Sequence, residues 1–294
     1  MYKIITDSAS DLPKEIIEKY ELHVIPTPVV IDDIDYLDGK TLKTKEFYEI
    51  LDDTKRDVKT YHINPAMFEE AFWPYAKNND SVIYLCFSTG IAGTYNAASI
   101  AKENILEQYP EFDLTIIDSK CASVGFGLLV YKLLQMQSNG ASKDLIIEAA
   151  KFYIEHIHHI FTVSTLNYLI KGGRLSKWKG NIAETLDMKP IITVDENGAL
   201  KVLRTVRGRK RSLKELVQFV KENGVDVEKQ TIAFCHGEDE EALHFVLQQS
   251  DELLHQKDSL ITVVGCAIGA HTGRGIIGIC FLDANETAYE QYLD

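Results

Sequence analysis

Residues 81–118 read SVIYLCFSTGIAGTYNAASIAKENILEQYPEFDLTIID, and this stretch decides the fold class. The apolar run Ser81–Phe87 predicts a buried strand, and Ser88-Thr89-Gly90 after it predicts a tight turn. Thr94–Gln108 has the pattern of a helix, and Leu114–Asp118 that of a second buried strand. A strand, a helix and a strand in this order predict a right-handed crossover in a parallel sheet, so we assign the chain to the α/β class.

The flanking sequence continues this alternation, which predicts a doubly wound first domain. Tyr2–Thr6 predicts a strand, and so does Leu22–Val30, whose two prolines favour an edge position. The acidic segment Ile31–Leu42 predicts a loop. The helices predicted in this half are Pro13–Tyr20, Lys45–Leu51, Asn64–Lys77, Ser123–Gln137 and Ser142–His156.

The rhythm of the sequence changes near residue 160, which predicts a second, smaller α+β domain. Asn197-Gly198 lies between two strand-like runs and is a hairpin signal. Gly265–Gly275 is dense in glycine and predicts a loop between two apolar strands. We therefore predict an α/β domain at residues 1–160 and an α+β domain at residues 161–294.

Composition limits the classes of function. The 294 residues carry a net charge of −13, which opposes binding to nucleic acid. Five cysteines with no paired spacing fit a reducing compartment and exclude a zinc ribbon or a redox dithiol. The first residues are too short an apolar run for a signal peptide, so we expect a cytoplasmic protein.

A candidate anion site lies at the carboxyl ends of the predicted parallel strands, where ligands of open α/β sheets bind. Ser88 and Thr89 combine hydroxyl groups with backbone N–H groups at a turn that leads into a helix. Because no lysine or arginine accompanies them, they favour a carboxylate over a phosphate. The alternative is that both residues only cap the helix.

Two histidine segments are candidate sites. His156-Ile157-His158-His159 lacks a carboxylate or cysteine at ligand spacing, so it predicts solvated histidines at a helix end. His271 lies in the glycine-dense segment and is either displayed for use or satisfied by loop carbonyls. Gly125-Phe126-Gly127 lacks the third glycine of a dinucleotide fingerprint. We predict no metal and no cofactor.

Several short segments together resemble the DegV family, bacterial fatty-acid-binding proteins that act with a fatty-acid kinase. The resemblance covers nearly the whole chain. It rests on Thr6–Leu12, Ser88–Tyr95, Tyr168–Arg174, Lys189-Pro190-Ile191, Val206-Arg207-Gly208 and Gly269–Gly273.

The resemblance implies one fatty acid in a tunnel between the two domains, with its carboxylate at Thr60, at Ser88 or Thr89, and near His271. It also implies that the protein has no catalysis of its own and that the kinase phosphorylates the bound carboxylate. The sequence departs from the family pattern at Tyr61-His62, at Thr89 and at Arg274.

A basic run follows the predicted hairpin and is an exception to the acidic composition. Such a run is usually a solvated approach to a helix, and the functional alternative is a docking patch. With the resemblance, Arg174, Arg204 and Arg207 become the candidate docking face for the kinase catalytic subunit. Brief contact with a membrane surface is compatible with a lipid carrier.

Two other functions compete with this interpretation. A hydrolase would use Ser88 or Thr89 as nucleophile, His271 as base and Asp7 to orient the histidine, although the usual nucleophile elbow is missing. A nucleic-acid-binding regulator would rest on the basic run alone.

Overall fold

A computed structural model describes residues 2–53, 55–175 and 187–293. The strands in these residues are β1 (Tyr2–Asp7), β2 (His23–Ile25), β3 (Pro28–Ile31), β4 (Ile34–Leu37), β5 (Val58–Thr60), β6 (Ser81–Cys86), β7 (Leu114–Asp118), β8 (Ile157–Thr162), β9 (Met188–Val194), β10 (Leu200–Arg207), β11 (Thr231–His236), β12 (Asp258–Val263) and β13 (Ile277–Leu282).

The α-helices in the same residues are α1 (Lys14–Lys19), α2 (Thr44–Leu51), α3 (Pro65–Asn78), α4 (Thr94–Leu106), α5 (Ser123–Ser138), α6 (Lys143–His156), α7 (Asn167–Lys171), α8 (Arg209–Asn223), α9 (Glu240–Leu253) and α10 (Cys266–Thr272). No helix of the described ranges combines the length and the apolarity needed to cross a membrane.

The first sheet has the strand order β2-β1-β6-β7, and all of its pairs are parallel. Alternate residues of its strands point to opposite faces. Ile5 and Tyr84 pack with α3 and α4 on one face. Ile4 and Leu85 pack with α5 on the other. The doubly wound prediction is therefore confirmed.

The second sheet has the order β10-β9-β8-β13-β11-β12. Its pairs are antiparallel except β11 with β12, which run parallel. Helices α8 and α9 cover one face of this sheet, and α5 lies against the other. The predicted α+β second half and its hairpin at Asn197-Gly198 are confirmed.

A third, three-stranded sheet has the order β4-β3-β5, and it corrects the prediction of a loop at Ile31–Leu42. The two-residue turn Asp32-Asp33 joins β3 to β4, and both residues have positive φ angles of 48° and 65°. Aspartate tolerates this left-handed region, as hairpin turns require. The aspartates form the turn, while Val29 and Ile31 supply the buried face of the sheet.

The glycine-dense segment Gly265–Gly275 is another correction, because most of it is helix α10. Gly269 cannot carry a side chain there, since a Cβ would lie 2.7 Å from Phe47 and 2.9 Å from the Tyr48 hydroxyl. The glycine therefore allows α10 to lie close to α2. The density in glycine predicted a loop, whereas at Gly269 the cause of the glycine is close packing.

The histidine segment 156–159 agrees with its prediction only in part. It is the end of α6 and the start of β8, and His159 is buried at 5% exposure. His156 and His158 are partly exposed and both contact the carboxylate of Asp283, at 2.8 and 2.7 Å. Only these two fit the expectation of solvated histidines.

The two halves of the chain share one core. Helix α5 packs on both large sheets, and a single hydrophobic cluster joins Phe126 of α5 to Leu85 of the first sheet and Cys280 of the second. The predicted division at residue 160 falls inside β8, whose first residues already pair with β13. The division into two domains stays a prediction.

Candidate functional site

An apolar cavity of about 90 Å³ lies between the two large sheets. Its walls come from the loop after β6, the start of α5, strands β8, β10 and β13, and helix α10. The apolar side chains that line it include Phe87, Ile91, Val124, Phe161, Leu200 and Ile268. Both halves of the chain therefore contribute to the cavity.

Thr60 and His271 meet at one edge of this cavity. Thr60 Oγ1 and His271 Nε2 lie 2.6 Å apart and share a hydrogen bond, although 211 positions separate the two residues in the sequence. Thr60 ends β5 and His271 lies in the last turn of α10. Two of the predicted ligand residues are thus brought together.

Two buried carboxylates hold α10 in this position. Asp38 accepts hydrogen bonds from the backbone N–H groups of Cys266, at 3.0 Å, and Ala267, at 3.3 Å. Asp11 accepts one from the N–H of Gly265 at 2.9 Å. These N–H groups begin the helix and have no partners within it, so the carboxylates satisfy them and complement the helix dipole.

His271 is a neutral imidazole in this structure. Burial lowers its pKa, the positive charge of Arg174 contributes in the same direction, and together they bring the pKa to about 4. Its Nδ1 atom is buried and has no hydrogen-bond partner among the described residues. Gly172 lies against this atom, because a Cβ on Gly172 would come within 2.1 Å of it.

Arg174 supplies a cation that the sequence-based description of the site lacked. Gly173, with φ +75°, ends α7 in the left-handed region, and the N–H of Arg174 then donates to the carbonyl of Leu169 at 3.0 Å. This turn brings the half-buried Arg174 side chain onto the cavity wall. Burial lowers the pKa of the guanidinium. Arg174 therefore lies at the cavity, and its role in docking stays a prediction.

Thr60, Arg174 and His271 also line a groove on the outer side of the cavity. Three further basic residues line this groove: Arg56, Lys59 and Lys171. Lys59 and Lys171 both contact the carboxylate of Asp57. The three site residues thus separate an apolar interior from a groove rich in basic side chains.

Ser88 and Thr89 lie elsewhere, and neither is among the residues that line the cavity. The buried Ser88 hydroxyl donates to the carbonyl of Gly198 at 2.7 Å and accepts from the N–H of Gly90. The exposed Thr89 hydroxyl donates to Asp118 at 2.6 Å. Ser88 therefore joins the turn after β6 to the β9–β10 hairpin. The role of either residue in ligand binding stays a prediction.

Arg204 and Arg207, the other two docking candidates, lie on β10 and are exposed. The Arg204 side chain donates to Glu215 of α8 at 2.8 Å, which leaves it partly neutralised. Their contact with a partner protein stays a prediction.

The arrangement that a hydrolase needs is not assembled. The buried Asp7 accepts hydrogen bonds from the Tyr84 hydroxyl at 2.8 Å and the Phe87 N–H at 3.1 Å. His271 is paired with Thr60, and Ser88 with a backbone carbonyl. Burial raises the pKa of Asp7 to about 6. The residues of the proposed triad thus have other partners.

Gly125 and Gly127, which match part of a dinucleotide-binding fingerprint, allow close packing of α5. A Cβ on Gly125 would lie 2.1 Å from His159 Nε2, and one on Gly127 would lie 2.5 Å from the carbonyl oxygen of Ser10. Within the described residues, no group of three or more histidine, cysteine, aspartate or glutamate side chains could hold a metal ion.

His159 is a cavity residue that the sequence interpretation missed. It lies on β8 with its ring against the start of α5, and the Ala122 N–H donates to its Nε2 at 3.3 Å. Burial lowers its pKa to about 4. The sequence carries one indication of this position. His159 lies two residues before the apolar Phe161, and in a strand such residues share a face.

Fold and site together define an α/β protein with an apolar cavity between two packed sheets. The chain belongs to the DegV family: the family model, described as "Uncharacterised protein, DegV family", matches residues 1–284. A DegV domain-containing protein of Clostridium perfringens (strain 13 / Type A) is 36% identical over 283 residues, which cover 96% of this chain and 97% of that protein.

Solved structures of the family are similar over nearly the whole chain. A DegV-family protein from Ruminococcus gnavus, refined with vaccenic acid, has a TM-score of 0.87 at 25% identity and covers 95% of this chain and 99% of its own. A stearic acid-binding protein from Eubacterium ventriosum has a TM-score of 0.86 at 29% identity, with coverages of 95% and 97%.

Proposed function

We propose that this protein binds a long-chain fatty acid and presents its carboxylate to a fatty-acid kinase. The alkyl chain lies in the cavity between the sheets, and the carboxylate lies at Thr60 and His271, beside Arg174. The observation that carries the proposal is the position of these three residues between an apolar interior and a basic groove. The fatty acids bound by the relatives from R. gnavus and E. ventriosum support it.

The alkyl chain supplies most of the affinity. About 14 methylene groups at about 0.8 kcal/mol each offer about 11 kcal/mol on burial. This exceeds an association cost of several kcal/mol. The head group therefore need only be held in place.

The cavity must widen to admit such a chain. Its volume of about 90 Å³ is smaller than the roughly 150 Å³ of a protein cavity that holds benzene. The side chains of Ile91, Leu200 and Ile268 lie on its wall and are only partly buried, so their rotation can enlarge it.

The carboxylate is recognised by hydrogen-bond donors and by charge. The Thr60 hydroxyl and a ring N–H of His271 can each donate to a carboxylate oxygen when their mutual hydrogen bond opens. The guanidinium of Arg174 is close enough to His271 to lower the pKa of that histidine, and it adds a positive charge beside the acid.

The phosphoryl transfer itself belongs to the kinase. The kinase transfers the γ-phosphoryl group of ATP to a carboxylate oxygen, which gives an acyl phosphate and ADP. The basic groove outside Thr60 and His271 offers that carboxylate a route to the partner, and its lysines and arginines suit the negative charge of an acyl phosphate. Arg204 and Arg207 extend the proposed docking face along β10.

The binding step is tested by mass spectrometry of lipid extracted from the purified protein and by titration with stearic acid. Thr60→Val and His271→Leu are expected to weaken binding modestly, by about fivefold, because each removes one hydrogen bond. Thr287→Val is the matched control, since Thr287 is exposed and remote from the cavity lining. Absence of co-purified fatty acid together with absence of stearic acid binding would refute the binding function.

The presentation step is tested by acyl-phosphate formation with the purified kinase. Thr60→Val should reduce this rate more than it reduces affinity, because a misplaced carboxylate still binds. Thr89→Ala separates a role of Thr89 in holding the carboxylate from a role in capping the helix. A loss of acyl-phosphate formation at unchanged stability would assign it to presentation.

Reversal of charge in Arg207→Glu should reduce the rate of acyl-phosphate formation with the kinase and the dependence of that rate on salt concentration. A rate and a salt dependence equal to those of the unmodified protein would remove Arg207 from the docking face.

A further inference from the structure

His159 is a polar residue of the cavity wall, away from Thr60 and His271. The side chain is only 5% exposed and lies among Val124, Phe161 and Cys280. The thiol of Cys280 is a weak hydrogen-bonding group that behaves mainly as a small apolar side chain. Asp7 and Ser123 also line the cavity, but their side chains already have hydrogen-bond partners.

The structure fixes which ring nitrogen of His159 carries the proton. Nε2 accepts a hydrogen bond from the Ala122 N–H, and burial lowers the pKa of the ring to about 4, so the imidazole is neutral. In a neutral imidazole one nitrogen accepts and the other donates, which assigns the proton to Nδ1. The hydrogen bonds of His159 to the described residues use Nε2 and the backbone carbonyl, so Nδ1 has no partner there. Nδ1 is not among the fully enclosed polar atoms of these residues, so it is accessible from the cavity.

The ring cannot easily turn away from the cavity. Gly125 in the first turn of α5 packs directly on it, since a Cβ there would lie 2.1 Å from Nε2. The backbone of His159 is held as well, because its carbonyl accepts a hydrogen bond from the Thr193 hydroxyl at 2.6 Å. The histidine is thus held by its neighbours with one donor unsatisfied.

We propose that His159 selects fatty acids that carry an oxygen atom, as a hydroxyl or oxo group, within the alkyl chain. This inference rests on the proposed function, because it names the ligand class of the same cavity. The oxygen would accept a hydrogen bond from Nδ1–H. An acyl chain without an oxygen leaves that buried donor unpaired, which is unfavourable.

The oxygen belongs in the interior of the chain, away from the carboxylate. Strand β8 leads from His159 through Phe161 towards α7 and Arg174 at the head-group end. His159 precedes Phe161 by two residues, which is about 7 Å along a strand. The donor therefore lies deeper than Phe161, measured from the carboxylate site.

The proposal predicts a peaked dependence of affinity on the position of the oxygen. One isomer places its hydroxyl at Nδ1 and satisfies both groups. Other isomers bury the hydroxyl against apolar side chains, where it has no partner. We expect the matching isomer to bind about tenfold more tightly than its neighbours.

The experiment compares stearic acid with a positional series of monohydroxy derivatives of the same length. His159→Leu removes the donor, and His159→Gln keeps an acceptor for the Ala122 N–H and a donor for the ligand. His158→Leu is the matched control, because its side chain lies on the opposite face of β8 and contacts Asp283. Thermal unfolding of each variant is recorded alongside.

A peak in the unmodified protein, lost in His159→Leu and retained in His159→Gln and His158→Leu, is the expected result. A loss of overall stability cannot produce it, because the profile compares ligands on one protein. A flat profile in the unmodified protein that binds stearic acid would overturn this inference and leave the proposed function intact. A peak that persists in His159→Leu would also overturn it. Failure of every acid to bind would instead refute the proposed function.

Discussion

Glycine at position 172 determines how closely the chain after α7 approaches His271. A Cβ at this position would lie 2.1 Å from Nδ1 and 2.9 Å from Cε1 of the imidazole. The φ angle of Gly172 is −73°, which any residue adopts, so the requirement is for space alone. Gly172→Ala should therefore displace the imidazole from Thr60, at a cost of about 1–3 kcal/mol. We expect the affinity for stearic acid to fall about tenfold in calorimetric titration.

Gly93→Ala is the control for this substitution. Gly93 has a φ of −82°, and a Cβ there would make an ordinary contact of 3.4 Å with the ring of His62. The control should bind stearic acid as the unmodified protein does. Equal affinity in Gly172→Ala and Gly93→Ala would mean that His271 can move without consequence for binding.

The buried state of His271 predicts a particular dependence of stability on pH. Its pKa is about 4 in the folded protein, against an ordinary value of 6.5. Between these values the unfolded chain binds the proton more readily, so this group makes the free energy of unfolding rise with pH from about 4 to 6.5. Above that window its contribution is constant.

The measurement compares urea unfolding of the unmodified protein with that of His271→Gln at several pH values. The difference in unfolding free energy should favour the unmodified protein increasingly from pH 4 to 6.5 and then level off. The same comparison with His244→Gln, on an exposed face of α9, shows how much comes from removing any histidine. A difference that does not change across the window contradicts a buried neutral His271.

The sequence predicted some site residues and missed others for physical reasons. His271 was a candidate from the glycine-dense segment, and the family resemblance assigned it and Thr60 to the carboxylate. Their contact depends on α10, which the sequence did not predict. Arg174 was assigned to docking by its charge, and only the left-handed turn at Gly173 shows that it reaches the cavity. His159 was predicted to be solvated because it lies in a histidine-rich segment. In β8, however, alternate residues face opposite sides, and the side that carries His159 is buried.

Among the helices and strands, the sequence predicts those whose structure is specified by residues close together in the chain. The central strands β1 and β6 of the parallel sheet are buried on both faces along most of their length, so their sequences are largely apolar runs. Asn197-Gly198 marks a hairpin by itself. The β3–β4 hairpin and α10 were missed because aspartates and glycines, which usually indicate loops, serve here as turn residues and as sites of close packing.

The position of α10 gives a test at this scale. Asp38 is 5% exposed and accepts hydrogen bonds from two N–H groups at the start of the helix and from the Ser8 hydroxyl. Asp38→Ala leaves these donors unpaired, so the free energy of unfolding should fall by about 1–3 kcal/mol. Because α10 carries His271, the affinity for stearic acid should fall as well.

Urea unfolding and ligand titration of the same preparation measure both effects. Glu70→Ala, an exposed acid on α3, removes a carboxylate without touching α10 and should leave both quantities unchanged. If Asp38→Ala unfolds and binds like the control, the carboxylate does not hold the helix in place.

At the scale of the whole molecule, the cavity joins the two halves of the chain. Its wall includes residues of both large sheets, of α5 and of α10, and the hydrophobic cluster around it spans both halves. A ligand in this position contacts both halves at once and binds only the folded chain. At a free concentration of 100 times the dissociation constant it adds about 2.7 kcal/mol to the free energy of unfolding.

A substitution that fills the cavity separates stabilisation by the ligand from stability of the fold. Ile268 is partly buried and points from α10 to the cavity, so Ile268→Trp should occupy space that the alkyl chain needs. We expect its melting temperature without ligand to change little and the increase caused by stearic acid to disappear. Ile100 lies on α4 and is 41% exposed, so Ile100→Trp should keep the increase in melting temperature caused by stearic acid. If stearic acid still raises the melting temperature of Ile268→Trp as much as that of the control, the alkyl chain does not lie between the sheets.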